Sequence, residues 1–484
     1  MISLDQASQS VQGQYFTPEL AAELIASFPR LPKADCLRVL DPGAGSGMLT
    51  AAIVDRVCRE GEIGRVEVTA AELDPIMLPA LDRTAELCRQ QGHRMGVDVE
   101  VKVVQGDVIA LQTGFEAELG DDFDLVIMNP PYRKLASLSW QRRAMAAAGW
   151  ETGNLYAAFL ALGVDSLAPG GQLVAITPRS FANGPYFEQF RKRLLSQVAL
   201  GRVHTFESRS TVFADTGVLQ ENIVLSATKG GTRQDVTITS SRDHTDPVNE
   251  RTVPYGELVA PDDRHQFIRI ITNGADDRAA KAIRSLPASL SSLAVRVSTG
   301  RVVDFRARQN LQDTPTPGSL PLIYPGNLRG GLIEWPRSIG KAQGFRLLGE
   351  ADAKALLPSG YYVAVKRFSA KEERRRIVAS VWDPTQHHHQ PVAFENHLNV
   401  FHAEGKGLDR ELAWGLCAWL NSSVVDRHFR TFSGHTQVNA TDLRSMNYPD
   451  EDALRRLGHH LDVLPGQEEL DQLVDRLALE TVAA

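Results

Sequence analysis

Cysteine is scarce in this chain: there are four, Cys36, Cys58, Cys88 and Cys417, and no two share a CxxC spacing. That pattern predicts packed, reduced thiols, and it argues against a cysteine-ligated zinc site or a disulfide framework. Long apolar runs are missing as well. Runs such as Leu412 to Leu420 are about half of what a bilayer-spanning helix needs. Met1 to Gln14 is polar and lacks the basic-then-apolar order of a secretory leader. A cytoplasmic protein with no membrane partner is therefore expected. No internal repeat or extended low-complexity tract is present, which argues against solenoids and disordered scaffolds. His387-His388-His389, with His397 and His402 nearby, invites a metal reading. Consecutive residues cannot all converge on one ion and no cysteine partners them, so no metal is expected.

The rest is ordinary globular material, 43% hydrophobic and 23% charged over 484 residues, long enough for two or three domains. A net charge of -7 would argue against a polyanionic partner if it were evenly spread. It is not. Between residues 281 and 380, Lys and Arg outnumber Asp and Glu by ten, the footprint of a surface that meets phosphates.

From Leu37 to about Lys229, short β-branched runs alternate with helical stretches, as in a βαβ series. Arg38–Leu40, Val66–Ala71, Val99–Val104, Asp124–Met128, Gln172–Thr177, Arg202–Phe206 and Asn222–Thr228 read as strands. Met48–Arg59, Ile76–Gln91, Leu155–Ser166 and Tyr186–Leu195 carry apolar residues at three- and four-residue spacing and read as helices. The expected fold is α/β, a mostly parallel sheet with helices on both faces. After Gly230-Gly231 the pattern turns irregular, with scattered prolines. Three regions are expected: a catalytic domain over 1–235, an irregular α+β domain over 236–450, and an acidic helical tail over 451–484.

Chemistry concentrates at the ends of the predicted strands. Asp41-Pro42-Gly43-Ala44-Gly45-Ser46-Gly47 joins a strand to a helix; alternate glycines let the backbone approach a ligand, and the helix start favours an anionic group. Glu72 ends the next strand, placed to accept from ribose hydroxyls, and Gly106-Asp107 ends a third. One acid at a strand end is commonplace. Several along one carboxyl edge, where ligands bind in such sheets, are not.

Asp124-Leu125-Val126-Ile127-Met128-Asn129-Pro130-Pro131-Tyr132 is the sharpest signal. An amine on an aromatic ring is a poor nucleophile because its lone pair is delocalised. If the Asn129 amide oxygen and the Pro130 carbonyl each accept one of its hydrogens, the nitrogen can pyramidalise toward an electrophile. Tyr132 offers a flat face for the base, worth about 1–3 kcal/mol per stacked base. That offsets part of the few kcal/mol needed to extrude a paired base.

On these residues the chain resembles the TaqI-like, γ-class adenine-N6 DNA methyltransferases of restriction-modification systems. The resemblance implies a class I, Rossmann-like methyltransferase domain followed by a target-recognition domain, and S-adenosylmethionine as methyl donor. Tyr15-Phe16-Thr17-Pro18 resembles the family's N-terminal motif, which makes Thr17 the candidate at the methionine end of the donor. Asp41, Gly43, Gly45, Glu72 and Asp107 match cofactor positions, and Asn129, Pro130 and Tyr132 match catalytic ones. Phe159 matches an aromatic near the donor's adenine. Phe213, in Val212-Phe213-Ala214, matches the second aromatic stacked on the flipped base, opposite Tyr132.

Within the basic block, Lys366, Arg367, Arg374, Arg375 and Arg376 are candidate DNA contacts, as are the polar Gln437 and Asn439 beyond it. Leu420-Asn421-Ser422 and the segment Gly434 to Leu443 resemble the closing parts of PstI- and BsuBI-type modification enzymes, which raises CTGCAG as the target. Duplex DNA and a separate cognate restriction endonuclease are the partners implied. Asn-Pro-Pro-Tyr also serves RNA and protein-glutamine methyltransferases, and a non-catalytic DNA-binding subunit could keep the fold. The intact tetrapeptide argues against the subunit. A basic second half that is a domain in its own right argues against the other two.

Overall fold

Strands β1 (Cys36–Pro42), β2 (Arg65–Glu72), β3 (Asp98–Gln105), β4 (Phe123–Met128) and β5 (Leu167–Pro178) are rich in Val, Leu and Ile. Of these, β1, β4 and β5 are largely buried on both faces, the composition that the interior of a parallel sheet requires, whereas the edge strand β3 alternates and turns Asp98, Glu100 and Lys102 outward. The computed structural model describes residues 17–114, 119–206, 221–241, 248–316, 318–369, 372–434 and 436–479. It divides into two units, Met1–Thr272 and Asn273–Ala484.

In the first unit β1 to β5 run parallel, and β6 (Val198–Phe206), β7 (Asn222–Lys229), β8 (Val236–Ser241) and β9 (Asn249–Val253) complete one sheet. Its order is β3-β2-β1-β4-β5-β7-β6-β8-β9, with β7 antiparallel to both neighbours. Along β4 the side chains alternate. Leu125 and Ile127 join a core with α1 (Glu19–Ala26), α2 (Met48–Glu60) and α3 (Leu78–Met95), whereas Val126 and Met128 join one with α4 (Val108–Thr113), α5 (Leu155–Ser166) and α6 (Glu188–Gln197). Helix α5 is apolar on every side and buried along nearly its whole length, as a helix enclosed on all sides must be. Because β1 pairs with β2 on one side and β4 on the other, the chain leaves their carboxyl ends in opposite directions. A crevice opens there.

The unit boundary corrects the expected one. Gly230-Gly231 is a turn, with Gly230 at φ +65°, and the chain returns to place β8 alongside β6 and β9 outside it. A glycine pair marks a reversal, and it does not say whether the sheet continues beyond it.

The second unit is α+β, as expected. A six-stranded sheet runs β10-β20-β17-β18-β14-β13 and a five-stranded one β11-β15-β12-β19-β16. The strands are β10 (Arg296–Thr299), β11 (Leu311–Gln312), β12 (Leu320–Ile323), β13 (Leu328–Arg329), β14 (Leu332–Ile333), β15 (Gly344–Phe345), β16 (Leu356–Leu357), β17 (Tyr362–Lys366), β18 (Ala379–Trp382), β19 (Val392–Phe394) and β20 (Leu398–His402). The expected acidic tail is part of this unit. Helix α7 (Arg410–Leu420) packs so closely on α8 (Glu451–Gly458) that a Cβ at Gly415 would lie 1.8 Å from the Leu454 carbonyl, and one at Gly458 1.9 Å from that of Glu411. Net charge hid that apolar face: Ala453, Leu454 and Leu457 are buried while the acids face solvent.

Candidate active site

The glycine loop after β1 has φ of +77°, +57° and +84° at Gly43, Gly45 and Gly47, a region side chains rarely adopt. Space is restricted too. A Cβ at Gly43 would sit 3.1 Å from the Phe159 ring, and one at Gly47 2.9 Å from Leu81 and Thr84. The amides of Gly43 and Ala44 both donate to the Ala71 carbonyl at 2.9 Å, folding the loop against the end of β2. Glu72 is buried there. Its Oε2 accepts from the Gly45 amide and its Oε1 from the Asp74 amide, both at 2.8 Å, so one carboxylate frames two loops.

Asp41 is fully enclosed at the end of β1 and accepts from the Thr50 hydroxyl at 2.7 Å. Burial pushes its carboxyl up to about 7, with the Thr50 hydrogen bonds pulling the other way. Asp107, beyond β3, caps α4 through Oδ1, which accepts from the Ile109 amide at 2.9 Å. Phe159 reaches the loop from α5.

Asn129 follows β4 directly. Its Nδ2 donates to Thr17 Oγ1 at 3.0 Å, and the Tyr132 hydroxyl donates to its Oδ1 at 3.2 Å. The amide therefore has a defined orientation: nitrogen toward Thr17, oxygen toward Tyr132. The Tyr132 ring meets Tyr156 edge-on, centroids 6.4 Å apart at 89°, and the Tyr156 hydroxyl bonds Ser180 at 2.9 Å.

These residues enclose one cavity of about 400 Å³, whose walls include Gly43, Gly45, Glu72, Asp107, Asn129, Pro131 and Phe159. Leu73, Pro75 and Leu155 add apolar surface, and the mix of such walls with a few placed carboxylates suits a nucleoside-bearing ligand. A smaller recess of about 40 Å³ brings Thr17, Asp41, Gly45 and Asn129 together. Thus the glycine loop, Glu72, Asp107, Phe159, Thr17 and Asn129, far apart in sequence, share one edge of the sheet. Sequence reasoning missed Leu73, Arg133 and Gln141 in the wall. Leu73 and Arg133 directly follow singled-out residues, and that adjacency was the available signal. Phe213, Tyr15 and Phe16 lie outside the described residues.

In the second unit the candidate DNA contacts separate. Arg376 is buried: its Nε donates to Ser369 Oγ at 3.1 Å, its Nη2 to Ser433 Oγ at 3.2 Å, and the guanidinium sits over the Phe429 ring. This corrects its reading as a phosphate contact, since a charge run gives no sign of which members turn inward. Arg375 is half-buried, and burial lowers its basicity. Arg374 is exposed. Lys366 pairs with Glu373 at 2.8 Å. Asn439 starts the helix Ala440–Arg444, where its backbone amide and Nδ2 both donate to Asp442 Oδ2, at 3.0 and 3.1 Å. Arg367 and Gln437 are partly exposed.

Residues 96–213 match the Eco57I restriction-modification methylase family. The whole chain is similar to the Type II methyltransferase M.BsuBI of Bacillus subtilis, 40% identical over 98% of this chain and 95% of that protein. It is also similar to the Type II methyltransferase M.PstI of Providencia stuartii, 38% identical over 98% of this chain and 94% of that protein. Among solved structures, the Type IIL restriction-modification enzyme MmeI in complex with DNA shares the fold, with a TM-score of 0.56 at 12% identity over 91% of this chain and 70% of that one. With the sheet order, the glycine loop and the tetrapeptide already in place, these similarities show that the chain belongs to the Type II methyltransferases of restriction-modification systems, class I enzymes that use S-adenosylmethionine to methylate DNA at specific sites.

Proposed function

We propose that the methyl acceptor is the exocyclic N6 of an adenine turned out of duplex DNA. The observation that carries this reading is the position of Asn129 in the wall of the same cavity as the glycine loop, Glu72 and Asp107. An amide oxygen and the adjoining Pro130 carbonyl form a paired acceptor for the two hydrogens of a planar NH2 group. Glu72 receives the ribose hydroxyls, Asp107 the amine of the donor's adenine, and Phe159 packs against that ring. The bound donor supplies an electrophilic methyl on a positively charged sulfur. Asn129 and Pro130 draw the amine's hydrogens into their plane and stabilise the charge that develops on nitrogen, so no strong base is needed. Tyr132 stacks on the extruded base, with Phe213 opposite it.

The PstI-type resemblance makes CTGCAG the first duplex to test, and a separate endonuclease cutting the same site is the natural partner. A protein-glutamine substrate has one observation in its favour. A release factor glutamine methyltransferase of Chlorobaculum tepidum is 32% identical to the chain over 102 residues, but that covers only 21% of it and leaves the second unit without a role. The discriminating experiment incubates the protein with radiolabelled donor and either duplex DNA or a protein extract. Label in adenine supports the reading, and label confined to protein overturns it.

A further inference from the structure

Beyond β17 the chain continues as Arg367-Phe368-Ser369 and is fastened on both sides. The Arg367 amide donates to the His397 carbonyl at 2.9 Å, the Val438 amide to the Arg367 carbonyl at 2.7 Å, and the Ser369 amide to the Thr436 carbonyl at 3.0 Å. Phe368 bridges antiparallel to Gln437. Three stretches, near residues 368, 397 and 437, thereby become one rigid edge. On it the Phe368 ring is 39% exposed, with the His397 imidazole 5.0 Å and the Arg367 guanidinium 6.0 Å from it. His397 is itself held: its Nδ1 lies 2.5 Å from Oε1 of Glu395, a carboxylate only 1% exposed.

A cation in this basic block is accounted for by phosphates. An exposed phenyl ring among cations is not, because phosphate offers it nothing; a base face or a thymine methyl does. With Nδ1 committed to a buried carboxylate, His397 directs Nε2 away from it at a fixed angle. Gln437 carries a donor and an acceptor on one planar group, the pair that the major-groove edge of adenine complements. We propose that Arg367, Phe368, His397 and Gln437 form a base-reading edge that helps choose the sequence to be methylated. The inference rests on the DNA reading above and assigns part of its specificity.

The test first maps the methylated sequence with the wild-type protein. Affinity is then measured for that duplex and for one with a single base pair changed, over a range of salt. Phe368→Ala is expected to lower the preference for the correct duplex about tenfold with the salt slope unchanged, and Phe368→Leu to restore part of it. His397→Asn keeps a donor at the Nδ1 position, hence the Glu395 bond, and removes the outward nitrogen together with the rest of the ring. It is expected to lose preference similarly while donor binding stays at the wild-type value. An unchanged preference in both variants, or an equal loss on both duplexes with a shallower salt slope, would overturn the inference. Failure of the wild-type protein to methylate any duplex would instead overturn the proposed function.

Discussion

Thr17 Oγ1 accepts the hydrogen bond from Asn129 Nδ2 at 3.0 Å, tying the segment ahead of α1 to the end of β4. The sequence motif placed Thr17 against the methionine end of the donor, and it does line the recess beside the glycine loop. Its observed partner is the amide. An asparagine side chain whose nitrogen is held cannot turn its oxygen away from an incoming amine.

Thr17→Val is therefore expected to lower the single-turnover rate by about tenfold, roughly 1.4 kcal/mol of barrier, with donor affinity changed less than threefold. Thr17→Ser should recover most of the rate. A rise in the donor's Kd with an intact rate at saturation would return Thr17 to a purely cofactor-binding role.

Glu72 joins the glycine loop to the loop after β2 through two backbone amides. Removing the carboxylate leaves both amides without that acceptor, at about 1–3 kcal/mol each where they are buried. Glu72→Ala should weaken donor binding at least tenfold and lower the melting temperature. Calorimetry showing wild-type donor affinity would separate Glu72 from the cofactor.

Asp41 gives a pH dependence with a definite sign. Its folded-state pKa of about 7 lies above the ordinary 3.8, so between those values the folded protein keeps a proton that the unfolded chain has released. The Asp41 contribution to stability therefore falls as pH rises through that window and changes little above it. Asp41→Asn lacks this titration. In the absence of donor, its stability relative to wild type should climb between pH 4 and 7 by up to about 4 kcal/mol, at about 1.4 kcal/mol per unit. A difference independent of pH would contradict the assignment.

Gly415 tests where the second unit ends. With the Leu454 carbonyl 1.8 Å from any Cβ at this position, Gly415→Ala must push α7 and α8 apart. Overpacking of this kind costs about 1–3 kcal/mol, against which the helix preference of alanine returns only about 1 kcal/mol. Thermal unfolding should show a clear loss; an unchanged melting temperature would leave 451–479 as an appended tail.

The sheet, and the gathering of the glycine loop and the strand-end acids along one of its edges, were legible because they are local. Period-two burial, the glycine turn and acids at successive strand ends are each written within a dozen residues, and Leu155–Ser166 is a helix with those same bounds. Long-range relationships were not. Nothing near Gly230 announces that β8 will return beside β6, and nothing in Arg374-Arg375-Arg376 says that the third member turns into the interior. Asn439 stands at a helix start with its backbone amide and side chain tied to Asp442, a role that asparagine at such a position takes as readily as base reading. The contact between Phe368 and His397 depends on pairings across the unit that no motif encodes.

In the proposed reaction an adenine amine meets Asn129. Expressing the wild-type protein and Asn129→Ala in a methylation-free host, and mapping modified bases in the host DNA by single-molecule sequencing, tests it directly. Wild type should leave N6-methyladenine at one short sequence, and the variant none, while its purified form still binds S-adenosylmethionine. Methylation of cytosine, or adenine methylation that persists in the Asn129→Ala strain, would contradict the account.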